Sequence, residues 1–242
     1  MALQRKRGFY EKYVKRLLDI ICALLAIIVF CWLYAIIGII VRTKLGSPVL
    51  FKQPRPGLID SKSKKERIFN MYKFRTMTDE RDENGKLLPD EKRLPRVGRL
   101  LRSTSLDELP EAFNILKGDM SVVGPRPQLI RDMVFMNDTQ RMRHSAKPGL
   151  SGLAQIMGRN AITWEEKINW DLKYIDKVSF INDMKIIALT AKKVFGRKES
   201  IKELDVTDDY GDALLKEGKV TQEQYIKLQQ CAESIITEFE KK

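Results

Sequence analysis

The chain has 242 residues, 43% hydrophobic and 31% charged, with a formal net charge of +12. That length and apolar content suit one ordinary domain with an appendage, and they exclude a globally disordered chain. The single histidine, His144, excludes a histidine-built metal site, and the three cysteines show neither metal-knuckle nor disulfide-framework spacing.

The first element is apolar. Leu17 to Val41 reads LLDIICALLAIIVFCWLYAIIGIIV, with Asp19 its one charge. At about 1.5 Å per residue it reaches roughly 37 Å as a helix, against a hydrocarbon core of about 30 Å. The run is too long for a secretory signal, and no small-residue cleavage site follows it. Basic residues stand on both sides: Arg5, Lys6, Arg7, Lys12, Lys15 and Arg16 before, Arg42, Lys44, Lys52 and Arg55 after. A straight crossing would put one basic cluster outside, whereas a helix that enters, bends and returns keeps both on the cytoplasmic side. The middle, Phe30-Cys31-Trp32-Leu33, has no proline to cause a bend, so the residues leave both topologies open.

Two apolar runs, SPVLFKQPRPG and RIFNMYKFRTM, flank a polar stretch from Ser61 to Arg67 and predict a short β-hairpin. Lys73 and Arg75 alternate there, so on a strand they share a face. DENGKLLPDEKR is a second polar loop. A helix is predicted from about Pro110 to Lys117, stopped by Gly118. SVVGPRPQ is too proline-rich for a helix, and KPGLSGLAQIMGRN reads as a loop or short strand. Two amphipathic helices follow, near Trp164 to Asp176 and Asn182 to Phe195. From Ile201 onward six lysines face ten acids, so the tail is acidic and the basic excess belongs to the body. Thr221 and Gln224 form a capping-box pattern, and Tyr225, Leu228, Cys231 or Ala232, Ile235 and Phe239 fall on one stripe that packs on the body or on a second subunit.

The densest polar region is RVGRLLRSTSLDELPEAFNILKGDMSVVGPRP. Arg96, Arg99 and Arg102 precede the adjacent acids Asp107 and Glu108, and Arg126 lies between two prolines downstream. Arginines bind phosphate oxygens through forked hydrogen bonds; one carboxylate can hold Mg²⁺ and the other can attack phosphorus. Ser105-Leu106-Asp107-Glu108 is also a plain capping box. Pro110 argues against that version, because a proline inside the helix clashes. A sharp turn near Leu109, with both carboxylates facing outward, is the expectation. Asp171 and Asp183, on or near the later helices, read either as functional acids or as surface acids paired with lysines.

KFRTM, SLDELPE with FNILKGDMS, VGPRP and KPGLSGLAQIMGRN, in that order after a basic-flanked apolar segment, resemble the monotopic phosphoglycosyl transferases of the bacterial sugar transferase family. The resemblance runs from about Lys15 to Lys198. It implies a mostly helical α+β, membrane-associated fold with a re-entrant helix (residues 1–45), a catalytic region (46–200) holding interfacial amphipathic helices, and an acidic helical tail (201–242) beyond the pattern of the small members. It implies transfer of a phosphosugar from a UDP-sugar to polyprenyl (undecaprenyl) phosphate on the cytoplasmic face of a bacterial inner membrane, releasing UMP. Asp107 then corresponds to the nucleophile and Glu108 to the Mg²⁺ ligand. The substrate-binding candidates are Lys73, Arg75, Arg102, Arg126, Arg159, Asp171 and Asp183, with Arg159 a nucleotide contact. Membrane phospholipids and downstream glycosyltransferases are the further candidate partners. Family members carry Ser-Pro at the bend, where this chain has Cys31-Trp32. A non-catalytic, basic membrane-surface protein is the competing reading. Nucleic-acid binding explains the charge but neither the apolar segment nor the acidic pair.

Overall fold

The computed structural model describes residues 5–158, 162–195 and 208–241. It is mostly helical with a small antiparallel sheet. A π-type turn at Tyr10–Val14 runs into α1 (Lys15–Val29), and α2 (Cys31–Lys44) follows after one residue. Among the described residues no single helix is long and apolar enough to cross a membrane. Tyr10–Val29 and Cys31–Lys44 reach that length and composition together, bent by 64°.

The bend falls at Phe30, one residue before the expected Cys31-Trp32. Phe30 leaves the helical region (φ −100°, ψ 12°). Its N–H still donates to the Ala26 carbonyl at 3.0 Å, and its carbonyl accepts from Leu33 and Tyr34. Few backbone groups are orphaned, so no proline is needed. Packing sets the angle, because the two limbs dock on different parts of the body. Ala23 of α1 is buried against Phe69, Met71 and Ile115, whereas Ile37 and Val41 of α2 are buried against Phe74 and Leu101. Asp19, the one charge in the run, accepts from the Ser121 hydroxyl and the Val122 N–H, both at 2.9 Å. The remaining faces are apolar and exposed, as at Leu25, Ile28, Trp32 and Ile39.

The hairpin pairs β1 (Leu50–Ile59) with β2 (Glu66–Phe74), Leu50 opposite Phe74 and Gln53 opposite Met71. Beyond it lie α3 (Asp90–Arg93) and α4 (Arg96–Ser103), the former a helical turn where a loop is expected. A tight turn at Leu106–Glu108 leads to α5 (Glu111–Lys117), stopped by Gly118 at φ 93°. Strands β3 (Ser121–Val123) and β4 (Gly149–Ser151) pair in parallel. Between them stand α6 (Ile130–Met133), α7 (Asp138–Arg141) and a turn at Met142–Ser145. After β4, α8 (Leu153–Met157) is a short helix where a loop or strand is expected. Then come α9 (Trp164–Asp176), α10 (Phe180–Phe195), α11 (Tyr210–Lys216) and α12 (Gln222–Glu240). Thr221 caps α12 with the expected capping box.

The tail packs back on the body. Ala232 is buried against Ile130 and Met133, with Ile68, Ile235 and Ile236 around them. The Tyr210 N–H donates to Asp132 at 2.9 Å. Along α10, Phe180, Ile181, Met184 and Leu189 remain exposed.

Two glycines let the parallel strands meet. A Cβ on Gly149 would lie 2.0 Å from the Gly124 nitrogen. Gly149→Ala should therefore push β4 off the loop at Gly124 and lower stability by about 1–3 kcal/mol, read as a fall in Tm.

Candidate active site

The carboxylate pair owes its position to backbone geometry. Ser105 adopts the left-handed conformation (φ 56°) and makes no side-chain cap, so the capping-box reading fails and the sharp turn lies here rather than at Leu109. Leu106–Glu108 form one tight 3₁₀ turn, and Pro110 caps α5. The acids face inward, not outward: Asp107 is 8% exposed, and Glu108 is largely covered.

Glu108 accepts at one oxygen from Lys73 Nζ (2.8 Å) and Arg126 Nη2 (2.6 Å). These two cations, outweighing its burial, hold its carboxyl far below the usual range. Lys73 also stands 3.4 Å from Glu111 Oε1. Glu111 is 1% exposed, and burial together with the Glu108 charge raises it. Asp107 makes no hydrogen bond or ion pair among the described residues. Burial pushes it up to about 6; the charge of Glu108 adds to this, while Lys73, Arg102 and Arg126 oppose.

Each cation is itself held. Asn114 on α5 is fully buried, accepting from the Tyr72 N–H (2.9 Å) and donating to the Asn70 carbonyl (2.7 Å), which fixes β2 beside the dyad. The Arg126 loop is gripped at its backbone by Arg143 (2.7 Å, to the Arg126 carbonyl) and Arg55 (3.1 Å, to the Pro127 carbonyl). Arg102 donates to the Thr76 hydroxyl at 3.0 Å. Its helix can lie this close to the KFRTM segment because position 98 is glycine: a Cβ there would meet the Thr76 carbonyl at 1.9 Å.

Of the candidate residues, Lys73, Arg102, Asp107, Glu108 and Arg126 thus come together. Arg75 does not join them. Strand β2 ends at Phe74, and the Arg75 guanidinium turns to the Ser47 carbonyl (2.6 Å), the Met77 carbonyl and Asp79. Asp171 and Asp183 are not surface acids. Asp171 pairs with Arg143 at 2.5 Å, both nearly inaccessible, and so acts on the Arg126 loop from behind. Asp183 takes Lys15 (2.5 Å), Tyr10 and Tyr174, fastening α10 to the root of the apolar helix. Arg96 and Arg99 are exposed, and Arg159 lies outside the described residues. Glu111, Asn114 and Arg143 escape a reading of the motifs. Glu111 had a signal, since it stands three residues after Glu108 in SLDELPE, a third acid within one turn's reach of the pair.

Among the described residues no three His, Cys, Asp or Glu side chains converge as a metal cage. The donor set nevertheless fits Mg²⁺, which binds through one or two carboxylates plus substrate phosphates. The second oxygen of Glu108 has no hydrogen-bond partner among the described residues, and Asp107 is unengaged.

Asp107 is more acidic unfolded than folded. The stability it contributes when protonated is therefore lost as pH rises through about 6. Asp107→Asn should raise stability by on the order of 2 kcal/mol at pH 8 and change it little near pH 4, measured by unfolding in detergent at both pH values.

The family model for bacterial sugar transferase matches residues 10–197. The uncharacterized sugar transferase EpsL of Bacillus subtilis (strain 168) is 50% identical over 181 residues, covering 75% of this chain and 87% of that protein. The galactosyl transferase CpsE of Streptococcus agalactiae is 40% identical over 194 residues, 74% of this chain and 42% of that one. A UDP-glucose:undecaprenyl-phosphate glucose-1-phosphate transferase of Klebsiella pneumoniae is 40% identical over 200 residues, 77% of this chain and 41% of its own length. The chain thus spans less than half of the latter two. With more than half its length matched by one family and its motif residues gathered at one site, this chain belongs to the bacterial sugar transferase family.

Proposed function

We propose that this chain transfers a phosphosugar from a UDP-sugar to polyprenyl phosphate through a covalent aspartyl intermediate, at the cytoplasmic face of a bacterial membrane. The observation that carries the reading is the pairing of a buried, unengaged Asp107 with a Glu108 clamped by Lys73 and Arg126. Relatives named for undecaprenyl-phosphate sugar phosphotransfer support the same reaction class.

In the first step the ionised Asp107 carboxylate attacks the β-phosphorus of the UDP-sugar. An aspartyl oxygen–phosphorus bond forms, the bridging bond to the α-phosphate breaks, and UMP leaves with its electron pair. In the second step an oxygen of polyprenyl phosphate attacks the same phosphorus, and the Asp107 carboxylate is released. Lys73, Arg102 and Arg126 lie where negative charge gathers on the transferring group. Glu108 keeps Lys73 and Arg126 aimed inward. Glu108 would hold Mg²⁺, which when bound would supply further charge neutralisation. The low polarity that raises Asp107 also strips water from it, which strengthens its attack once it is ionised.

The acceptor is a lipid and the donor is water-soluble, so the chemistry belongs at the headgroup level. The exposed apolar faces of α1, α2 and α10 support a bent segment lying in one leaflet.

Radiolabelled UDP-sugar without acceptor should label the wild-type chain, and Asp107→Asn should abolish the label and lower UMP release by roughly a thousandfold. Unchanged turnover in that variant removes Asp107 as nucleophile. A panel of UDP-sugars read by UMP release identifies the donor. For topology, a thiol placed before residue 5 in a background lacking Cys22, Cys31 and Cys231 should resist labelling from outside intact cells. Labelling means that the segment crosses the bilayer.

A further inference from the structure

A cavity of about 680 Å³ opens between the N-terminal segment and the far end of the β-hairpin. Its walls carry six cations: Arg5, Lys6, Arg7, Lys12, Arg67 and Lys147. Two acids also line it, and the carboxylate of one, Asp60, is taken by the backbone amides of Lys62 and Ser63. Arg5 pairs with Glu11. The side chains of Lys6, Arg7, Lys12, Arg67 and Lys147 have no hydrogen-bond or ion-pair partner among the described residues. The buried cations Lys15 and Arg143, by contrast, are matched by Asp183 and Asp171. Crowding shows on Lys147, which burial and the neighbouring Arg16 and Arg7 shift downward against the opposing charges of Asp19 and Asp119, the second acid of the lining.

A second observation points to a ligand. Ser145 is only 7% exposed, lines the same cavity, and its hydroxyl has no hydrogen-bond partner. A buried hydroxyl without a partner is destabilising. A phosphate oxygen would accept its proton while the surrounding ammonium and guanidinium groups match the charge.

This cavity is not the reaction site. Arg67 and Lys73 are six residues apart on β2, roughly 20 Å along the strand, so a phosphate held here does not reach Asp107. Its position instead follows the root of the apolar helix. Phe9, Tyr13 and Leu17, interleaved with the basic residues of the same segment, are largely exposed. We propose that the cavity binds the phosphate headgroup of an anionic phospholipid and fixes the depth of the re-entrant helix. The lipid source rests on the membrane placement proposed above; the phosphate chemistry does not.

The test uses the full chain in neutral detergent with three probes: dioctanoyl phosphatidylglycerol, dioctanoyl phosphatidylcholine and inorganic phosphate. Phosphatidylglycerol should raise Tm saturably, and phosphatidylcholine should not. The double variant Arg67→Gln, Lys147→Gln should weaken half-saturation by about tenfold or more. A wild-type response in that variant overturns the site. Equal half-saturation by inorganic phosphate and phosphatidylglycerol overturns the lipid assignment. Should the double variant fail to fold by circular dichroism, Lys6→Gln with Arg7→Gln, on the N-terminal segment, must weaken phosphatidylglycerol binding in the same direction; no change there overturns the proposal. A chain that binds phosphatidylglycerol in this variant-sensitive way yet releases no UMP from any donor overturns the enzymatic reading and keeps the cavity.

Discussion

Glu108 is held at a single oxygen by two cations that arrive from different parts of the chain, Lys73 from β2 and Arg126 from the loop after β3. That three-way contact closes the hairpin, the 3₁₀ turn and the proline-flanked loop around one point. Removing either cation would leave a mostly buried carboxylate with half its compensation, a change that costs several kcal/mol in comparable settings. Much of the surrounding architecture serves to keep the three groups within reach of one another. Asn114 ties α5 to the edge of β2, and Arg143 grips the Arg126 carbonyl with Asp171 behind it.

Beside this clamp Asp107 is left with nothing to hold. Its neighbour takes the nearest cations, so Asp107 feels them only at a distance while bearing the full effect of burial. Two adjacent carboxylates are thereby driven in opposite directions, Glu108 down and Asp107 up. The division of labour follows from side-chain direction on a single tight turn, since both residues share the same stretch of backbone.

The hairpin, α5 with its glycine stop, α9 and most of α10 are legible because periodicity, caps and breakers act locally. The acidic pair and its arginines are legible because their chemistry demands unusual residue types close together. The inward aim of that pair is not, because it depends on Ser105 entering the left-handed region, a conformation for which serine carries little signal. Nor is the split between Lys73 and Arg75, which alternation places on one face; the strand ends between them and a carbonyl from Ser47 captures the arginine. Asp171 and Asp183 stand out by charge, yet their partners Arg143 and Lys15 are 28 and 168 residues away. The apolar stripe of the acidic tail is legible as a packing face, and its Ala232 closes over α6, directly after the loop that carries Arg126.

The second limb of the apolar segment, α2, carries one further connection. The Tyr34 hydroxyl donates to the Leu109 carbonyl at 2.6 Å, while its ring meets Phe74 and Phe113. Leu109 immediately follows Glu108, and Phe74 immediately follows Lys73. The limb is therefore fastened directly to the backbone that carries the carboxylates. Under the membrane placement and transfer proposed above, the level at which α2 settles would set the height of Asp107, so the thickness of the leaflet would become a geometric parameter of the proposed reaction.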